Sequence, residues 1–134
     1  MPGSFIDTNV LLYLAADDPL KAGKAEQIVA AGGTISVQVL NELANVARRK
    51  MGLSWPETRT FLATVRELLA VQPLSVKTHE SGLALAEGYG LSIYDAMIVA
   101  SALEADCDTL WSEDLHYGLV IAKRLRVVNP FHAL

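Results

Sequence analysis

Cysteine occurs once in the 134 residues, at Cys107. A lone cysteine excludes an intramolecular disulfide framework and a cysteine-rich zinc cluster, and it fits a reducing compartment. Apolar runs stay short of the ~18 residues that a membrane-spanning helix needs, so no membrane partner is expected. No Lys or Arg precedes the first apolar stretch, as a secretory signal would require. The expected location is the cytoplasm. Charge is scarce as well: 19% of residues are charged against 51% hydrophobic, with mean hydropathy +0.29. That balance argues against disorder and makes any charge inside an apolar run informative. The three histidines, His79, His116 and His132, form no paired ligand motif. His116, close to Asp114, could contact a substrate, but a surface-loop histidine is the plainer reading.

What is present is a regular alternation of strand-like and helix-like stretches without linkers or repeats. Strands are expected at 4–7 ("SFID"), 32–37 ("GGTISV"), 71–76 ("VQPLSV"), 108–112 ("DTLWS") and 126–129 ("RVVN"). Helices are expected at 8–16, 19–31, 38–51, 54–70, 78–88 and 93–105. Ser54, with Pro56 and Glu57 behind it, has the spacing of a capping box. Such alternation predicts βαβ units and one α/β domain over 1–134, with a central, mainly parallel sheet of four to five strands between helical layers.

In an open parallel sheet the ligand crevice lies beyond the carboxyl ends of the strands, and several acids fall there. Asp7 ends the first strand and is the only charge between Met1 and Ala16. Capping the next helix is an alternative use of it. Asp95 is the only charge in "SIYDAMIVASAL" (92–103), a helix apolar on nearly every side. An unpaired carboxylate there needs a cation, donors or a shifted pKa, although Ser92 and Asp95 also have capping-box spacing. Glu42 sits at the margin of the stripe Val39, Leu40, Leu43, Val46, Ala47, where a solvated glutamate is the plain reading. In "TLWSEDLHYG" (109–118) a core strand stops at Ser112, Glu113 and Asp114. Asp114 is preferred over Glu113 because Ser112 and Asp114, two apart, face the same way in an extended segment. Together the four acids suggest a metal site. An all-oxygen set selects Mg2+ or Mn2+ over zinc and suits phosphodiester hydrolysis.

"FIDTNVLLYL", "VLNELANV", "YDAMIVASALEADCDTLWSEDLHYG" and "VVNPF" resemble the PIN-domain nucleases, and within them the VapC-like toxins of bacterial type II toxin–antitoxin pairs. The likeness spans residues 5 to 131. It implies a three-layer α/β/α PIN-like fold and an acidic quartet at Asp7, Glu42, Asp95 and Asp114, with Asn9 and Ser112 supporting the metal shell. It further implies Mg2+- or Mn2+-dependent endoribonuclease activity on RNA, a homodimer, and inhibition by an antitoxin protein.

Setting the quartet aside leaves eleven acids against eleven Lys plus Arg, a balanced surface despite the net charge of −4. Arg49, seven residues after Glu42 on the same helix face, could touch a phosphate, although cations also favour helix C-termini. Lys123, Arg124 and Arg126 are equally ambiguous. Trp55, Phe61, Leu62, Val65 and Leu69 are spaced for a packed face that could include a dimer contact. Three rivals remain. An aspartyl-nucleophile phosphatase wants a second Asp where Asn9 stands. A receiver domain wants an acid ending strand three, which ends in "SVK". A non-catalytic interaction module would use all four acids as caps.

Overall fold

A computed structural model describes residues 3–132. Six strands form one sheet in the order β3-β2-β1-β4-β6-β5. They are β1 (Ser4–Ile6), β2 (Thr34–Ser36), β3 (Ala70–Gln72), β4 (Thr109–Trp111), β5 (Val120–Ile121) and β6 (Leu125–Val128). All neighbours run parallel except β5 and β6. The helices are α1 (Thr8–Leu12), α2 (Pro19–Ala30), α3 (Val37–Arg49), α4 (Trp55–Leu68), α5 (Val76–Tyr89) and α6 (Ile93–Glu104). This is the expected three-layer α/β/α arrangement.

The centre of the sheet is apolar on both faces, as a parallel sheet covered by helices requires. Phe5, Ile6, Ile35 and Leu110 are fully buried there. Residues Ala96 to Ala102 of α6 are all buried, as its uniformly apolar sequence implied. Helix α5 lies close against it: a Cβ on Gly82 would stand 2.6 Å from the thioether of Met97.

Three expected boundaries need correction. The segment 71–76 is not one strand. Pro73, which has no N–H to donate, follows β3, and Ser75 caps α5 by accepting from the Thr78 amide at 3.1 Å. The helix expected at 8–16 ends at Leu12 and gives way to a 3-10 turn, Tyr13–Ala15, because Asp18 and Pro19 already start α2. Strand β5 was not expected at all. It pairs with β6 through a turn in which Ala122 and Lys123 hold φ of 53° and 59°. That left-handed pair makes a tight hairpin, but without the Asn-Gly or Asp-Gly that announces one.

Chain direction positions the site. From β1 the sheet grows through β2 and β3 on one side, and through β4 and β6 on the other. The carboxyl ends of β1 and β4 therefore flank a switch in strand order, where α/β sheets open a crevice. Strand β2 runs directly into α3, capped by Ser36, so the first turns of α3 project from the same edge.

Candidate active site

Asp7 leaves β1 and immediately caps α1, its Oδ1 accepting from the Thr8 amide at 2.7 Å. Its Oδ2 accepts from the Ser112 hydroxyl at 2.8 Å and from Asn9 Nδ2 at 3.2 Å. The residue is only 5% exposed. Burial outweighs these donors and, with repulsion from Glu42 and Asp95, pushes its pKa up to about 6. Capping and a functional role are thus compatible, since one oxygen serves the helix and the other meets the site.

Glu42 reaches the same place from α3. Thr8 Oγ1 donates to its Oε1 at 3.2 Å, and Gln38 Nε2 donates to its Oε2 at 3.0 Å. Asp95 occupies the first turn of α6, where the Ser92 hydroxyl accepts from its amide at 3.2 Å. That places a carboxylate at the positive end of a helix. Asp114 is exposed in the bend after β4. All four acids line one cavity of about 280 Å³, together with Thr8, Asn9, Leu12, Asn45, Val46 and Lys50.

Neither of the two ion pairs among the described residues involves any of these four carboxylates. The repulsion between them therefore goes unanswered by a side-chain cation in contact. Among the described residues no three of them converge as ready-made ligands of one ion. They face a common space rather than a common point. An all-oxygen lining with uncompensated negative charge fits a hard divalent cation held partly by water.

Glu113 and Asp114, adjacent in the chain, part company in the fold. Glu113 turns away from the cavity. Its Oε1 accepts from Tyr13 Oη at 2.6 Å and its Oε2 from Lys21 Nζ at 2.8 Å. Partial burial raises the Glu113 pKa, but those two donors outweigh it and hold the carboxyl below its usual range. The Glu113 amide donates to Asn9 Oδ1 at 2.9 Å, so the pair anchors the bend that presents Asp114.

The reason given for choosing Asp114 needs correction, because the chain bends after Trp111 and the Ser112 hydroxyl serves Asp7 instead. Ser112 is fully buried and also accepts from the Leu115 amide at 3.2 Å. Asn9 bridges Asp7, Ser112 and the Glu113 amide, which ties β1 to the segment after β4. Arg49 stands on the same helix as Glu42 but outside the acid cavity. It lines a neighbouring cavity with Ala44, Asn45, Arg48 and Trp55, and the cation lining the acid cavity is Lys50.

Sequence reading missed Thr8, Gln38 and Asn45. Gln38 was findable, since it stands one helical turn before Glu42 and can orient it. Thr8 is adjacent to Asp7, and nothing local marks its reach toward Glu42, 34 residues away.

The sequence profile of the PIN domain matches residues 4–120, so the chain belongs to the PIN domain family. Among solved structures, a toxin–antitoxin complex from Klebsiella pneumoniae is similar at 25% identity with a TM-score of 0.70, covering 95% of this chain and 97% of that one. VapC20 of Mycobacterium tuberculosis, a toxin that cleaves the sarcin–ricin loop, is 18% identical with a TM-score of 0.68 over 83% of this chain and 89% of its own. VapBC2 of Rickettsia felis, bound to a DNA fragment from its promoter, is 20% identical with a TM-score of 0.65, covering 92% and 96%. Comparison with the curated proteins found no match. Among the described residues no single helix is long and apolar enough to cross a membrane.

Proposed function

We propose that this chain is an endoribonuclease that hydrolyses RNA phosphodiester bonds with Mg2+ or Mn2+ held at the acid cavity. PIN family membership and the likeness to toxin–antitoxin structures support a nuclease. The observation that carries the reading is four carboxylates from four separate elements lining one cavity, one of them buried without a countercharge. Helix caps alone do not explain Glu42 or Asp114. An aspartyl-nucleophile phosphatase is disfavoured because Asn9 stands where its second acid belongs, with both ends of the amide engaged.

Asp7, Glu42, Asp95 and Asp114 would hold the ion. When bound, it would supply an activated water and stabilise the leaving oxygen. The chain's own contribution is preorganisation. Ser112, Asn9 and the Thr8 amide fix Asp7 before any ligand arrives, and Thr8 and Gln38 fix Glu42. Lys50, on the rim, would draw a phosphate toward the acids. By the same likeness, the cellular role proposed is that of a type II toxin, a cytoplasmic homodimer restrained by a partner antitoxin.

Purified protein mixed with RNA and Mg2+ or Mn2+, then with EDTA, tests the reading. Endonucleolytic cutting should require the metal and vanish in Asp7→Asn and Asp95→Asn proteins that keep their circular dichroism. Cutting that survives EDTA, or persists in those folded variants, would reject it.

A further inference from the structure

We propose that Trp55 and the arginines around it form a stacking platform for an unpaired base of the substrate strand, beside the acid cavity. The proposal rests on the nuclease reading and adds which residues beside the acids grip the strand.

Trp55 opens α4 directly after its Ser54 cap and is 59% exposed. Tryptophan is highly buried on average, so a ring this open offers a large aromatic face to a ligand. The Arg48 guanidinium lies 4.3 Å from the ring centroid, and its Nη1 donates to the Leu53 carbonyl at 2.6 Å. The indole is therefore backed by a cation that is itself held in place. Two open cavities of about 520 Å³ each meet the ring. One is lined by Trp55, Pro56 and Arg59, the other by Ala44, Asn45, Arg48, Arg49 and Trp55.

Asn45 also lines the acid cavity, as does Lys50, so one continuous surface leads from the indole to the carboxylates. Along α3, Glu42 and Arg49 are separated by ~10 Å at the rise of a regular helix. Charge along this surface runs against the chain's net −4. Arg48, Arg49, Lys50 and Arg59 gather here. The only acid between residues 44 and 61 is Glu57, whose carboxylate is turned back onto the Ser54 amide at 2.9 Å. An exposed aromatic face among cations is how proteins hold single-stranded nucleic acid, with bases stacking and phosphates paired. A duplex hides its base faces, so the platform selects an unpaired segment.

The test is intrinsic fluorescence in EDTA, where no cutting occurs, with short single-stranded RNA and the same sequence annealed as a duplex. The single strand should quench the wild type and the duplex should not. Trp55→Phe should abolish the quenching, leaving only Trp111, and retain most of the affinity. Trp55→Ala should weaken single-strand binding by about 10-fold, as loss of one stacked base does. With metal present, its KM should rise by a similar factor, with kcat within roughly twofold of the wild type. Arg49→Ala and Arg59→Ala should each reduce the salt slope of binding by about 1. A wild type that cuts RNA, beside a Trp55→Ala protein of equal KM, overturns the platform and leaves the nuclease reading standing. So does a Trp55→Ala protein that turns from dimer to monomer in the ultracentrifuge with RNA affinity intact, which would make this face a contact between copies of the chain. A wild type that never cuts RNA defeats the nuclease reading instead.

Discussion

At the amino end of β4, Asp106 and Asp108 stand in solvent. Asp106 meets Arg124 at 3.1 Å with its side chain 86% exposed, and Asp108 accepts from the Thr109 hydroxyl at 3.0 Å. At the carboxyl end of the sheet the same residue type meets the opposite conditions. Asp7 is buried, faces Glu42 and Asp95, and has no ion-pair partner among the described residues. Acids at the amino end are placed where water and a cation keep them at little cost. Asp7, at the carboxyl end, is held where folding disfavours its charge. A buried carboxylate kept without a countercharge is the kind of group that clusters at functional sites.

Substitutions at the two ends should separate them sharply. Asp7→Asn should lower nuclease activity by roughly 10³-fold, the scale of losing one essential electrostatic group, whereas Asp106→Asn should leave it unchanged in the same assay. The same Asp7→Asn change should stabilise the fold. A pKa raised to about 6 means that ionised Asp7 costs the folded state about 3 kcal/mol at neutral pH. Some of that gain is lost because an asparagine amide would oppose Asn9 Nδ2, a donor against a donor. A net gain of about 1–2 kcal/mol, or about 3 to 8 °C in melting temperature, should appear in thermal scans at pH 7.5.

The sign with pH follows from linkage. Between about pH 4 and 6 the folded protein binds the extra proton, so the Asp7 contribution to stability falls as pH rises through that window. The advantage of Asp7→Asn should therefore shrink on acidification and disappear below about pH 4.

Ser112→Ala probes the support of the buried acid. It removes the 2.8 Å donor to Asp7 and strands the Leu115 amide, so stability should drop by about 1–3 kcal/mol. Activity should fall about 10–100-fold, as it does when a group orienting a metal ligand is lost. Glu113→Gln should act on the bend alone, costing about 1 kcal/mol through its partly buried contacts with Lys21 and Tyr13. Denaturant melts read both. Arg124→Ala, at the exposed amino end, should shift stability by less than about 0.5 kcal/mol.

These contrasts were only partly legible in the chain. The order of strands and helices followed from period and capping: Ser54 with Glu57, Pro19 behind Asp18, and the uniformly apolar α6 each left a local mark. Strand β5 left none, because two residues and a glycine-free turn carry no pattern. The four acids could be picked out since each is a charge out of place, or a helix acid at the sheet's carboxyl edge. Their supporting contacts could not. The Ser112 hydroxyl meets Asp7 across 105 residues, and Glu113 meets Lys21 across 92. Only the pairing of β1 with β4 creates those neighbours, so the tempting local partner, Asp114, was the wrong one for Ser112. Arg49 and Lys50 differ by one helical position, about 100° of rotation, and that decides which of two cavities each lines.

Mn2+ binding followed by calorimetry at pH 7.5 addresses the role of the acid cavity most directly. The wild type should bind Mn2+ saturably, with affinity falling as pH drops through about 6, where Asp7 protonates. Asp7→Asn and Asp95→Asn should each abolish that binding while Asp106→Asn retains it. Binding that is absent from the wild type, or undiminished in a folded protein carrying both changes, would contradict the account.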